Sequence, residues 1–292
     1  MRFFAFEVDG DSRLGVERDG VQHDITRGAV RDFGKRLLIE FIASDELDAL
    51  ISSVEGQSVL IEEMPTHFNW LPPIPRPGKI LAMVQNYRKH AAEFGNEAPP
   101  APVWFGKISS SLTGHLTDIR IPHWVDGRVD HEVELAVVIG GRAKEVLQDG
   151  ALAFVAGYTI ANDMSARRIQ KDDRENKHPW LRCKNFDTFT PMGPYFVPAR
   201  YVPDPQVLSI RCRVNGETRQ NATTADMVHP VNKIIAEMSR WMTLEPGDVI
   251  CTGTPEGVYN LRDGDLCECE IAGLGTLRNP VQRPTGQSGG VS

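Results

Sequence analysis

The stretch from Asp130 to Ala166, DHEVELAVVIGGRAKEVLQDGALAFVAGYTIANDMSA, does most to restrict what this chain can become. Glu132 and Glu134 stand two apart in a run otherwise made mainly of Val, Leu, Ile and Ala. In a strand, residues i and i+2 share a face, so the two carboxylates point together while Val133 and Leu135 point the other way. Like charges that close repel unless something positive lies between them. Asp163, the lone aspartate in the next apolar segment, could complete an all-oxygen site for a hard cation, with Mg²⁺ the first expectation and Mn²⁺ or Ca²⁺ compatible with the same donors. A plainer reading fits the same letters, since alternating charged and apolar residues also describe a half-solvated antiparallel strand.

A chain of 292 residues can bury a full core. Its 32 basic and 39 acidic residues give a formal charge of −7, without a Lys/Arg run that could track phosphates, which argues against a nucleic-acid partner. No stretch reaches the length of a membrane span, and MRFFAFEVDG alternates like a strand instead of carrying the apolar core of a signal peptide. The 5 cysteines, Cys183, Cys212, Cys251, Cys267 and Cys269, include no CxxC pair. A reduced, cytoplasmic setting is expected, with Cys267 and Cys269 as small buried thiols.

Taken in order, the chain reads as mostly β, a β-rich α+β protein. Residues 1–71 form short strands and a helical stretch around Ile39 to Val54, a small α+β accessory domain without clustered reactive groups. Residues 72–78, within LPPIPRPGK, form a Pro-rich linker. A larger domain is expected over 79–283, with a disordered tail at 284–292. It opens with a strand, Lys79 to Val84, and a short helix, Tyr87 to Phe94, on which His90 and Glu93 share a face. These two read either as a lid pair or as an exposed surface imidazole. A helix starting near Ser165 places Arg167 and Gln170 one turn apart. Asn215–Gly216 marks a hairpin. Pro230 opens an amphipathic helix with Val231, Ile234, Ile235, Met238, Trp241 and Met242 on its core stripe, and a last pair of strands surrounds Asp263 to Asp265.

Seven segments in one order, NYRKHAAEFG, PVWFGKISSSLTG, DHEVELAVVIG, VAGYTIANDMSAR, KNFDTFTPMGP, VNGETRQ and MTLEPGDVICTGTPEGV, resemble the fumarylacetoacetate hydrolase family across residues 79 to 280. The resemblance implies a mixed β-sandwich roll closed around a divalent metal, commonly homodimeric. It implies metal ligation by Glu132, Glu134 and Asp163, a catalytic lid dyad of His90 and Glu93, and substrate-contacting roles for Arg167, Gln170, Lys184 and Thr254. His131 stands where the family commonly has Tyr and is expected to pack. The polar loop QKDDRENKHPWLRC offers His178 and Trp180 to the substrate.

The implied chemistry is hydrolysis of a carbon–carbon bond in a 2,4-dioxo acid, with His90, made more basic by Glu93, activating water. Lys184 and Gln170 would face the oxyanion, and the metal would stabilise a pyruvate-type enolate. The same enolate serves an isomerase of the 2-hydroxyhepta-2,4-diene-1,7-dioate or 5-carboxymethyl-2-hydroxymuconate type, or an oxaloacetate-type decarboxylase. A catalytically silent binder of 2-oxo acids is the reading from another class.

Overall fold

The computed structural model describes residues 1–28 and 37–283. The tail expected at 284–292 lies outside the described residues. A large sheet runs from one edge to the other in the order Glu62–Glu63, Val21–Asp24, Asp11–Arg18, Arg2–Val8, Thr190–Pro198, Val155–Asn162, Val133–Ile139, Val249–Cys251, Ile80–Met83 and Trp104–Lys107. Neighbours along this path are antiparallel except for Val249–Cys251 beside Ile80–Met83, and off the path Leu112–Thr113 also runs parallel to Thr190–Pro198. A second sheet orders Glu217–Thr223, Ser209–Val214, Leu266–Ile271, Gly275–Gln282 and Ile119–Arg120. The protein is mostly β, as the sequence indicates.

The strand Val133–Ile139 is buried at every position, which overturns the half-solvated reading. Val133, Leu135, Val137 and Ile139 enter the core shared with the second sheet and the helix Val231–Trp241. Ala136 and Val138 enter another core, built with Phe3, Leu14, Phe41 and Leu50 from the first part of the chain. A central strand covered on both faces reads as a continuous apolar run, and the glutamates sit where that run begins.

Local expectations are met with adjustments. The Ile39 to Val54 stretch divides into two helices, Leu38–Ala43 and Leu47–Glu55, because the chain turns at Asp45, whose φ is +61°. The 230s helix buries Val231, Ile234, Ile235 and Met238, but Trp241 is 69% exposed. It occupies the last turn, beyond the packed layer, and its indole N–H donates to Glu237 on its own helix at 3.0 Å. The Asp263–Asp265 turn precedes the final strand pair, and the tight connection between those strands carries Gly273. All five cysteines are buried and free, with Cys212 joining Cys267 at an Sγ–Sγ distance of 3.7 Å. Among the described residues no helix is long and apolar enough to cross a membrane.

Candidate active site

Strand register brings the acidic residues to one rim. Val133 pairs with Asn162, so Glu132 and Asp163, each one residue beyond, lie across from each other, and the Asp163 N–H donates to the Glu132 carbonyl at 2.9 Å. The Asn162 side chain accepts from the Glu132 N–H at 2.8 Å and locks the corner. Ligand oxygens of Glu132, Glu134 and Asp163 all lie within 4.8 Å of one another. None of the three residues is more than 4% exposed.

Cations surround two of these carboxylates and not the third. Glu132 accepts from Arg167 Nη2 at 2.6 Å and from Lys184 Nζ at 2.7 Å. Asp163 accepts from Lys184 Nζ at 2.5 Å and from Lys107 Nζ at 2.6 Å. Burial alone would raise the Glu132 carboxyl, but the Lys184 and Arg167 charges reverse that and hold it far below the usual range. For Glu134, burial and the adjacent Asp163 and Glu132 charges act together and push it well above that range; the Gly253 N–H at 2.7 Å is the contact its Oε2 receives. Lys184 stays an ammonium, since Asp163 and Glu132 outweigh its desolvation. A trio of convergent carboxylates with one left uncompensated is a donor set that a hard divalent cation fits.

Opposite the trio stands the short helix Arg88–Glu93. His90 is only 6% exposed, which removes the surface-imidazole reading. Its Nδ1 lies 3.1 Å from Glu93 Oε2, and the other Glu93 oxygen accepts from the Gly257 N–H at 2.6 Å. Burial works against the Glu93 charge, yet the hydrogen bonds from His90 and Gly257 win and lower its carboxyl. The helix is also fastened at its start. Asn86, fully buried, donates to the carbonyls of His229 at 3.0 Å and Thr252 at 2.8 Å and accepts from the His229 N–H at 2.8 Å.

Between lid and rim lies a cavity of about 250 Å³, lined by His90, Glu132, Glu134, Arg167, Gln170, Lys184 and Thr254, with Phe105 and Trp180 as apolar wall. Gln170 accepts from Arg167 Nη1 at 3.0 Å through its oxygen, leaving its NH₂ group for a ligand. The hydroxyl proton of Thr254 goes to the Val133 carbonyl at 2.9 Å and its oxygen accepts from Gln220 Nε2 at 2.8 Å, so toward a ligand it offers one remaining lone pair. Glu93 and Asp163 support the cavity from behind. Trp180 borders it, whereas His178 turns toward Asp173 at 3.8 Å. His131 packs as expected, wholly buried, with Nδ1 3.0 Å from Gln220 Oε1.

Sequence reasoning missed Lys107, Asn86 and Asp130. Lys107 also donates to the Lys184 carbonyl at 2.5 Å, and Asp130 anchors Arg167 Nε at 2.7 Å. A lysine closing the apolar strand WFGK and an aspartate two residues before the glutamate pair were the available signals.

The profile of the fumarylacetoacetate (FAA) hydrolase C-terminal family matches residues 79–282. Oxaloacetate tautomerase FAHD2A, mitochondrial, of Bos taurus is 39% identical over 96% of this chain and 91% of its own. The crystal structure of maleylpyruvate hydrolase from Sphingobium sp. SYK-6, in complex with manganese(II) ion and pyruvate, superimposes with a TM-score of 0.78 at 32% identity, covering 97% of this chain and 99% of that one. A 5-carboxymethyl-2-hydroxymuconate delta-isomerase from Mycobacterium smegmatis gives 0.75 at 33% identity, covering 98% and 100%.

Proposed function

The chain belongs to the fumarylacetoacetate hydrolase family, and from that premise we propose that it is a Mg²⁺-dependent hydrolase cleaving a carbon–carbon bond in a 2,4-dioxo acid. The observation that carries this reading is the buried His90, paired with the partly exposed Glu93 and facing a carboxylate trio across a small, partly open cavity. Glu132, Glu134 and Asp163 would hold the cation, with Mn²⁺ as its nearest substitute. When bound, it supplies Lewis-acid charge for the oxygens of a 2-oxo acid and for a developing enolate.

The remaining work falls to side chains. Glu93, itself held by the Gly257 N–H, orients the imidazole and supports the charge it gains on taking a proton from water. The free NH₂ of Gln170 and the Lys184 ammonium face the cavity as donors for the oxyanion formed when hydroxide adds to the distal carbonyl. Phe105 and Trp180, with ring centroids 5.9 Å apart, exclude bulk water from one side. Collapse of that adduct breaks the carbon–carbon bond, and proton return from His90 to the enolate carbon completes a pyruvate-type product. The homodimer expected from the resemblance goes with this reading.

A second reading is favoured by one observation, the 39% identity to an oxaloacetate tautomerase across nearly the whole chain. There His90 would move a proton between carbon and oxygen without admitting water. The deciding experiment is turnover of acetylpyruvate, fumarylpyruvate and oxaloacetate with added Mg²⁺, products identified by mass spectrometry and keto–enol exchange followed by ultraviolet absorbance. Pyruvate plus a free acid supports hydrolysis; enol–keto conversion without cleavage overturns it in favour of the tautomerase, and bound but unchanged substrate would mean a silent binder.

A further inference from the structure

In the strand Leu266–Ile271, Cys267 and Cys269 stand two apart and share a face. Cys212 lies directly opposite Cys269 in the antiparallel pairing, and all three thiols belong to the core that the second sheet shares with the strand Val133–Ile139. Cys212 Sγ is 3.7 Å from Cys267 Sγ and 3.9 Å from Cys269 Sγ, and the three sulfurs lie within 4.8 Å of one another. Two thiolates on one tetrahedral zinc, each bonded at about 2.3 Å, stand about 3.8 Å apart. Three packed thiols reach the same spacing; what they leave unexplained is His131. Its ring is wholly buried. Gln220 fixes the tautomer: its Nε2 donates to the Pro255 carbonyl at 2.7 Å, so the Oε1 that stands 3.0 Å from His131 Nδ1 is an acceptor and Nδ1 carries the proton. The neutral ring keeps its lone pair on Nε2, and among the described residues that atom has no hydrogen-bond partner. A histidine held by one ring N–H with the other nitrogen bare is the form in which the residue ligates a metal.

The ring and the thiols act on one another. Hydrogen bonds with Cys212 and Cys269 hold the Cys267 thiol well below its usual range in spite of burial, and His131 and the Asn162 Nδ2 donor, 3.6 Å from that sulfur, act in the same direction. We propose that Cys212, Cys267 and Cys269 form a thiolate site for a soft divalent ion, zinc in the first place, with His131 drawn in as the fourth ligand. Sulfur donors set it apart from the all-oxygen trio of the cavity, which suits hard ions. Binding releases the thiol protons to solvent. Four protein ligands leave no position for substrate, so the ion is structural. It ties the second sheet to the segment that leads directly into Glu132.

Every donor is buried, so the ion enters as the chain folds, and the test uses the full-length protein produced under reducing conditions in medium with Co²⁺ or Zn²⁺. The cobalt protein is expected to show sulfur-to-metal charge transfer in the near ultraviolet and the strong visible bands of tetrahedral coordination, both persisting after EDTA has stripped the carboxylate site. Oxygen ligands give neither signal. X-ray absorption of the zinc protein should find three sulfurs at about 2.3 Å and one nitrogen at about 2.0 Å. Cys212→Ala should lose the charge-transfer band and still bind Mn²⁺, a hard ion that reports the carboxylate site and an intact fold. If that variant does not fold, the wild-type spectra decide alone. A wild-type protein without the charge-transfer band, a band that survives Cys212→Ala, or isolation of the protein with Cys212 joined to Cys267 or Cys269 as a disulfide overturns the site.

Discussion

At the residue scale, Glu134 and His90 make separable claims. Glu134 sits without a cationic side chain of its own beside two carboxylates that have them, so its oxygens are the ones a divalent ion has most to offer. Glu134→Gln keeps the shape and removes the charge; Mn²⁺ affinity followed by electron paramagnetic resonance should fall at least tenfold. If affinity is unchanged, the trio is structural. His90→Ala should leave Mn²⁺ affinity alone and lower turnover by about 10² to 10⁴, the usual contribution of a positioned base. Lys107 adds a third claim. Its side chain is wholly buried and joins Asp163 to the carbonyl of Lys184. Lys107→Met leaves a buried carboxylate short of one partner and should cost about 3–5 kcal/mol in urea denaturation. The carboxylate trio was legible in the sequence because period-two alternation puts Glu132 and Glu134 on one face and Asp163 closes the next apolar strand, which pairs antiparallel with theirs. Lys107 was not, because only the order of strands in the sheet carries it across to Asp163.

At the element scale, the short helix Arg88–Glu93 reads in the sequence as a mobile lid, yet in the structure both its ends are fastened, by Asn86 before it and by Glu93 to the Gly257 N–H after it. A helix of six residues cannot hold itself together in water, so these anchors set the position of His90. Asn86→Ala removes three hydrogen bonds to backbone groups and should speed amide exchange through the helix and lower turnover, with Mn²⁺ affinity retained. Exchange unchanged at Arg88–Glu93 would mean that packing of Tyr87 and Ala91, not Asn86, holds the lid. The partners of Asn86 are backbone groups more than 140 residues away, and no local pattern marks such a contact. The Arg167–Glu175 helix was legible only at its start, where spacing puts Arg167 and Gln170 together; residues 170–175, read in the sequence as part of a polar loop, continue the helix because most of them are straight-chain residues with good helical propensity. The pairing of Val249–Cys251 with Ile80–Met83 was beyond reach, since a parallel neighbour that distant leaves no turn signal between its strands.

For the molecule as a whole, the first strand is what ties the N-terminal layer to the catalytic sheet. Phe3 pairs with Phe196, and Phe3, Leu14 and Phe41 share one core with Ala136, Val138 and Val249. His115 sits at the same seam. Its ring stands edge-on to Trp70, centroids 4.9 Å apart, and its Nδ1 accepts from the Arg278 N–H at 3.0 Å, so it must be neutral there. Burial, aided by the Arg278 charge, pulls its pKa down to about 4. The sign follows from proton counting. Between the unfolded value near 6.5 and the folded value near 4, the unfolded chain binds the proton and the folded chain does not. Stability at this seam is therefore complete above pH 6.5 and declines as pH falls toward 4, at a slope approaching ~1 kcal/mol per pH unit. His115→Gln preserves an acceptor for Arg278 but cannot titrate. Urea denaturation at a series of pH values across that window should show a shallower slope for the variant than for the wild type, with the two curves converging in slope above pH 7. Parallel curves throughout would place the acid sensitivity in the carboxylates of the active site and leave the seam indifferent to pH.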